Sequence, residues 1–136
     1  MSIKILLADN HEIIRTGFRS IIEKESDMEV IAESGDITEM LNLIKLKEPD
    51  VVIMEIDKPG MNGSETIQSV LEILPRIKLI CVSTYAAKII SREILKTGVM
   101  GYLVKHRAFE ELIPAIRSVM AGRTYSSTDR FDEKEI

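Results

Sequence analysis

The 136-residue sequence predicts an α/β fold, a doubly wound parallel sheet of five strands with helices on both faces. Three observations lead there. Short apolar runs alternate five times with stretches of helical spacing. The strongest run, Val51 to Met54, lacks polar alternation, as a strand buried on both faces requires. The runs end in polar residues and turn chemistry, most clearly at Glu55-Ile56-Asp57-Lys58-Pro59-Gly60 and Asn62-Gly63.

The elements follow in order. Ile3 to Ala8 is a first strand, ending in Asp9-Asn10. Glu12 to Glu25 places Ile13, Ile14, Phe18, Ile21 and Ile22 at helical spacing, with Asn10 as N-cap and Glu12 complementing the helix dipole. Met28 to Ala32 is a weaker strand. Asp36 caps a second helix whose face is Ile37, Met40, Leu41, Ile44 and Leu46, stopped before Pro49. After the Val51 strand, Ser64 to Leu74 forms a helix closed by Pro75. Ile77 to Val82 is a fourth strand that delivers Ser83, Thr84 and Tyr85. Ala86 to Thr97 is a helix ended by Gly98, with Ala87, Ile90, Ile94 and Leu95 inward and Ile89 outward. Met100 to Val104 is the fifth strand and delivers Lys105. Glu110 to Ala121 is the last helix; an interior proline costs about 3 kcal/mol, so Pro114 makes it start late or bend. Residues 1–122 therefore form one domain, and 123–136, polar and aperiodic, read as a linker or tail.

Composition narrows the functions. A hydrophobic share of 45% and a charged share of 29% describe an ordinary globule. No run approaches the roughly 18 apolar residues of a membrane span, and no signal peptide is evident at the start, so a cytoplasmic protein without membrane contact is expected. A net charge of −4 disfavours nucleic-acid binding by this chain itself, and DNA contact requires a part outside it. Cys81, inside an apolar run, reads as a buried structural thiol.

Right-handed crossovers bring all five strand ends to one rim, which collects Asp9, Asn10, Glu55, Asp57, Ser83, Thr84 and Lys105. Acids there can hold a hard divalent cation through oxygen, while a lysine and a hydroxyl meet a phosphoryl group. The competing reading is that Glu55 and Asp57 only mark where a strand meets solvent. Neither glycine-rich nucleotide-binding fingerprint occurs. His11, alone at a helix start, reads as an exposed cap-region histidine rather than a ligand or relay.

The segments LLADNHEIIRTGF, PDVVIMEIDKPGMNG, LICVS and TGVMGYLVK stand in an order and spacing that resembles the receiver domains of two-component response regulators. The resemblance is to the NarL/FixJ-like subfamily, whose receivers precede a LuxR-type helix-turn-helix. It implies a flavodoxin-like sheet of order 2-1-3-4-5, phosphoryl transfer from a sensor histidine kinase to an aspartate, and Mg²⁺ as cofactor. It also implies control of transcription through a DNA-binding domain absent from this chain, and a homodimer through an outer helix face. Carried over, Asp9 is the first pocket acid, Asn10 stands at the second, Glu55 occupies the phosphoacceptor position, and the backbone carbonyl of Asp57 is the third metal ligand. Ser83 is the switch hydroxyl, Tyr102 the switch aromatic, which reads equally as a half-buried strand tyrosine, and Lys105 the conserved lysine.

Asn10 and Glu55 depart from the family pattern. One charge lost at ~5 Å in an effective dielectric of ~20 weakens a metal site by about 3 kcal/mol. The extra methylene of Glu55 displaces its carboxylate by about 1 Å, a misplacement worth on the order of a hundredfold in rate. Poor phosphorylation is expected, and the chain is a switch module rather than an enzyme. Glu55 then either mimics the activated state or marks a receiver that works as a phosphate-independent interaction module. A third reading, a haloacid-dehalogenase-like phosphatase suggested by Glu55-Ile56-Asp57, is disfavoured because its nucleophile is an aspartate and no cap domain fits this length.

Overall fold

In a computed structural model, which describes residues 2–56, 62–84 and 88–127, the strands are β1 (Ile3–Ala8), β2 (Met28–Ser34), β3 (Val51–Glu55), β4 (Lys78–Ser83), β5 (Gly101–Val104) and β6 (Tyr125–Ser126). The helices are α1 (Glu12–Ile22), α2 (Ile37–Lys47), α3 (Asn62–Ile73), α4 (Lys88–Leu95) and α5 (Ala108–Met120). All described pairings are parallel, in the order β2-β1-β3-β4-β5-β6. The expected order of the first five strands therefore stands, with one strand added.

The pleat divides the core. Leu6, Ala8, Val52, Met54, Leu79, Cys81, Tyr102 and Val104 face a cluster that holds Met40 and Ile44 of α2, Ile67 and Val70 of α3 and Ile94 of α4. Their neighbours Ile5, Leu7, Val51, Ile53, Ile80, Val82 and Leu103 face the other cluster, with Phe18 and Ile22 of α1 and Leu112, Ala115, Ile116 and Val119 of α5. Side chains that alternate across a sheet covered on both sides are all apolar, which is why these strands read as unbroken hydrophobic runs. Burying each large aliphatic contributes about 1.5–3 kcal/mol.

Several boundaries differ from the sequence reading. The N-cap position of α1 is His11, not Asn10, because the Asp9 carboxylate accepts the His11 backbone N–H at 2.7 Å and turns the chain first. Ile13 is 85% exposed, since the buried stripe runs through Ile14, Phe18, Ile21 and Ile22 and leaves Ile13 about 100° away. Ile37 and Leu46 at the ends of α2 are likewise exposed. Asp36 does cap α2, accepting from the Glu39 N–H at 2.7 Å. The left-handed Glu48 ends that helix just before Pro49. Helix α5 starts earlier than expected, at Ala108, and carries Pro114 in its interior. Its entry is a single 3₁₀ turn at Lys105–Arg107. For α4, residues 85–87 and the side chains of Ile89 and Ile90 lie outside what the structure describes, so that inward face is seen only at Ile94 and Leu95.

The sheet also continues past Gly122, where the sequence suggested a tail. Tyr125 and Ser126 pair with Gly101 and Tyr102, and the Val104 N–H donates to Ser127 Oγ at 3.1 Å. The Tyr125 hydroxyl donates to the carboxylate of Glu111, which is nearly buried on α5.

Candidate functional site

Because the strands are parallel, Asp9, Glu55, Ser83 and Lys105 emerge at one edge of the sheet. The registers Ala8 to Met54, Glu55 to Val82 and Ser83 to Val104 set them at nearly equal height. The Asp9 backbone is fixed on both sides. Its N–H donates to the Ser34 carbonyl at 3.1 Å, and its carbonyl accepts from Arg15 Nη1 at 2.6 Å. Arg15 is held in turn by Glu33, 3.3 Å from its Nε, and Glu33 also pairs with Arg19. This ion-pair chain on α1 and β2 anchors the loop that presents the first acid.

The pocket centres on two carboxylates that are almost out of solvent. The side chains of Asp9 and Glu55 are 4% and 7% exposed. Lys105 reaches across β4 and bonds Glu55 Oε2. His11, read from sequence as an uninvolved cap residue, belongs to the site. Its Nδ1 lies 2.9 Å from Asp9 Oδ1 and 3.4 Å from Glu55 Oε2. The signal for it was its place two residues after Asp9, the spacing at which backbone and ring meet the same carboxylate oxygen. Asp9 Oδ2 is buried with no hydrogen-bond partner among the described residues.

The remaining candidates are distributed as follows. Ser83 ends β4 and is fully buried; Thr84 beside it is exposed. Asn10 is exposed, and with Asp9 and Glu55 it lines a cavity of about 310 Å³ floored by Met40 and Met54. Tyr102 is fully buried rather than half-buried, within the core cluster of α3 and α4. Asp57, whose carbonyl was a candidate ligand, lies outside the described residues.

Asp9, His11 and Glu55 each offer one donor atom within 4.8 Å of the others, so the cluster could hold a metal ion. Mg²⁺ prefers six oxygens in near-octahedral array; of the three groups in this cluster two are carboxylates and one is an imidazole, and Glu55 Oε2 also carries a lysine.

Residues 5–117 match the model of the response regulator receiver domain family. The chain is 34% identical over 126 residues to the uncharacterised transcriptional regulatory protein YxjL of Bacillus subtilis (strain 168), covering 93% of this chain and 58% of the relative. It is 34% identical over 123 residues to the oxygen regulatory protein NreC of Staphylococcus carnosus (strain TM300), covering 90% and 57%. The chain thus spans little more than half the length of these curated relatives. Among solved structures, a LuxR-family two-component response regulator from Aurantimonas sp. SI85-9A1 superposes with a TM-score of 0.85 at 29% identity, covering 95% of this chain and 92% of that one. The receiver domain of RcsB from Salmonella enterica serovar Typhimurium, solved with the phosphomimetic BeF₃⁻, shares the fold at a TM-score of 0.84 and 22% identity, covering 96% and 98%.

Proposed function

Since the chain belongs to the response regulator receiver domain family, we propose that it is the regulatory half of a two-component transcription factor whose pocket is set by the Glu55–Lys105 ion pair rather than by a phosphoryl group. The observation that carries this reading is the bond from Lys105 to Glu55 at the rim. An aspartyl phosphate at the acceptor position presents negative oxygens beyond the reach of an aspartate side chain. The longer glutamate extends its own charge in that direction, and the lysine closes on it.

The parts have distinct tasks. Glu55 supplies the fixed negative charge at the phosphoacceptor position. Lys105 neutralises it and thereby ties β5 to β3. Ser83 and Tyr102, the switch pair, are both buried, consistent with a pocket held in a single state. The Asp9 carboxylate, the Asn10 amide and the Asp57 carbonyl stand at the family's metal positions. With one charge missing, these positions hold Mg²⁺ weakly.

The output lies outside this chain: a DNA-binding domain after the linker, as the regulatory names of the longer relatives support. A sensor histidine kinase is the upstream partner in the family scheme. A homodimer through an outer helix face is supported by exposed Ile13 on α1 and Phe109 on α5, which lie on adjacent helices, since the Phe109 ring packs at a tilt against Phe18 with centroids 5.0 Å apart. The phosphatase alternative has no support beyond its acid-x-acid spacing. Among the described residues no helix is long and apolar enough to cross a membrane.

Acetyl phosphate with Mg²⁺ tests the reading. Intact mass spectrometry is expected to find no phosphoryl adduct on the chain and a Mg²⁺-dependent adduct on the double variant Asn10→Asp with Glu55→Asp. An adduct on the unaltered chain at a comparable rate makes it an ordinary phosphoaccepting receiver. An inert but folded double variant overturns the assignment of the pocket.

A further inference from the structure

We infer that Tyr125, Ser126 and Ser127 form a releasable strap whose hold on β5 depends on the Lys105–Glu55 ion pair. The strap is fastened at two places, and the lysine stands between them. At one, the Val104 N–H donates to Ser127 Oγ at 3.1 Å. At the other, the Tyr125 hydroxyl donates to Glu111 Oε1, while Oε2 of the same carboxylate accepts from Arg107 Nε at 3.1 Å. Val104 comes directly before Lys105, and Arg107 closes the single 3₁₀ turn that Lys105 opens. The Lys105 carbonyl also accepts the Ala108 N–H, which joins this turn to α5. The backbone of the pocket lysine is thus shared with both fastenings.

The strap is built to come off. β6 has two residues, and the segment that leads into it, Ala121 to Thr124, is exposed throughout. So short an edge strand, entered through exposed chain, opens at a lower free energy than the sheet it joins. Ser126 and Ser127 are buried, yet their small polar side chains remove little apolar area from water. Departure of Tyr125 strands no charge, because Arg107 stays with the nearly buried Glu111.

The ion pair supplies the control. Glu55 ends β3 and Lys105 follows β5, so their bond spans β4 and draws the Lys105 turn toward the middle of the sheet. With the bond made, Val104 and Arg107 stand where Ser127 and the Glu111–Tyr125 pair meet them. When Glu55 loses its charge or takes another partner, the turn relaxes and the strap opens more often. The coupling is reciprocal, as any linkage of two equilibria must be. It uses the ion pair of the functional reading but no phosphoryl chemistry.

Amide hydrogen exchange, followed by NMR on the full chain, tests the strap. The reporters are the Tyr125 N–H, bonded to the Met100 carbonyl at 2.9 Å, and the Val104 N–H. Slowly exchanging amides of β3 confirm that each variant is folded. Glu55→Gln and Lys105→Met are each expected to speed exchange at both reporters by at least about tenfold. Gly98→Ala, which destabilises the chain away from the rim, is expected to leave the reporters within about twofold of the unaltered chain. Tyr125→Phe loosens one fastening directly, so combined with Lys105→Met it should speed exchange by less than the product of the two single effects. Reporters unmoved by the ion-pair variants, moved equally by Gly98→Ala, or showing fully multiplicative effects in the combined variant overturn the inference. The acetyl phosphate result is read separately: a phosphoryl adduct on a chain whose reporters respond to Lys105→Met sinks only the functional reading, and an inert chain with indifferent reporters sinks only this one.

Discussion

Lys105 and Glu55, fifty positions apart and on strands separated by β4, are joined side chain to side chain at the rim. The acid is 7% exposed and the lysine 23%. Removing one partner of a fully buried pair costs about 3–5 kcal/mol, because the other is stranded, and the partial exposure of Lys105 brings the expected loss for Lys105→Met to about 1–3 kcal/mol. Urea unfolding measures it. The double variant Lys105→Met with Glu55→Gln, which strands no charge, should recover much of the loss. A midpoint unchanged by Lys105→Met shows the pair to be energetically idle.

The short strand β6 is expected to contribute stability although the sequence read it as tail. Ser127→Ala leaves the buried Val104 N–H without its Oγ acceptor, and Tyr125→Phe removes a donor from nearly buried Glu111. Each should lower stability by about 1–3 kcal/mol. Truncation after Gly122 should lower it further, as read by the thermal unfolding midpoint. A truncated chain as stable as the whole shows β6 to be an ornament of the sheet.

Cys81 should be inert while the chain is folded. Burial pushes its thiol well above the ordinary range, so thiolate is scarce at mildly alkaline pH. A disulfide reagent should react only after denaturant is added. The sign of the linkage follows: the folded pKa is raised, so its contribution to stability is complete below the ordinary thiol pKa of about 8.5. Above that value the unfolded chain ionises first, and stability falls by about 1.4 kcal/mol per pH unit. Cys81→Ala should flatten this alkaline decline.

Two glycines separate backbone strain from crowding. Gly98 has φ of 108°, and a Cβ there would stand 2.9 Å from Leu71 Cδ1. Gly122 has φ of 83° with open space around it. Gly122→Ala should cost about 1–2 kcal/mol for conformation alone. Gly98→Ala should exceed that, with the excess in chemical denaturation reporting the Leu71 contact.

Much of this was legible in the sequence because burial on both faces leaves an unmistakable trace. Val51 to Met54 could only be an interior strand, and the polar residue after each such run had to lie at the rim. That logic located Asp9, Glu55, Ser83 and Lys105. It had no purchase on His11, whose part depends on a loop turned by the neighbouring carboxylate, not on periodicity. Nor could it find Tyr125-Ser126, since two residues are too few for a pattern and their pairing depends on β5, more than twenty positions earlier. The threonine, tyrosine and serines of residues 124–127 were a weak hint of extended structure. Ile13 misled because a run of two isoleucines satisfies helical spacing in either of two rotations.

The direction of β6 carries a mechanical implication. Running parallel to β5, it brings the polypeptide at Ser127 to the edge where Lys105 meets Glu55, and Ser127 is hydrogen-bonded to the residue just before that lysine. The last described residue of the chain is therefore bonded one peptide unit from the charged pair. Displacing Lys105 loads the Val104–Ser127 hydrogen bond directly, without passing through the hydrophobic interior.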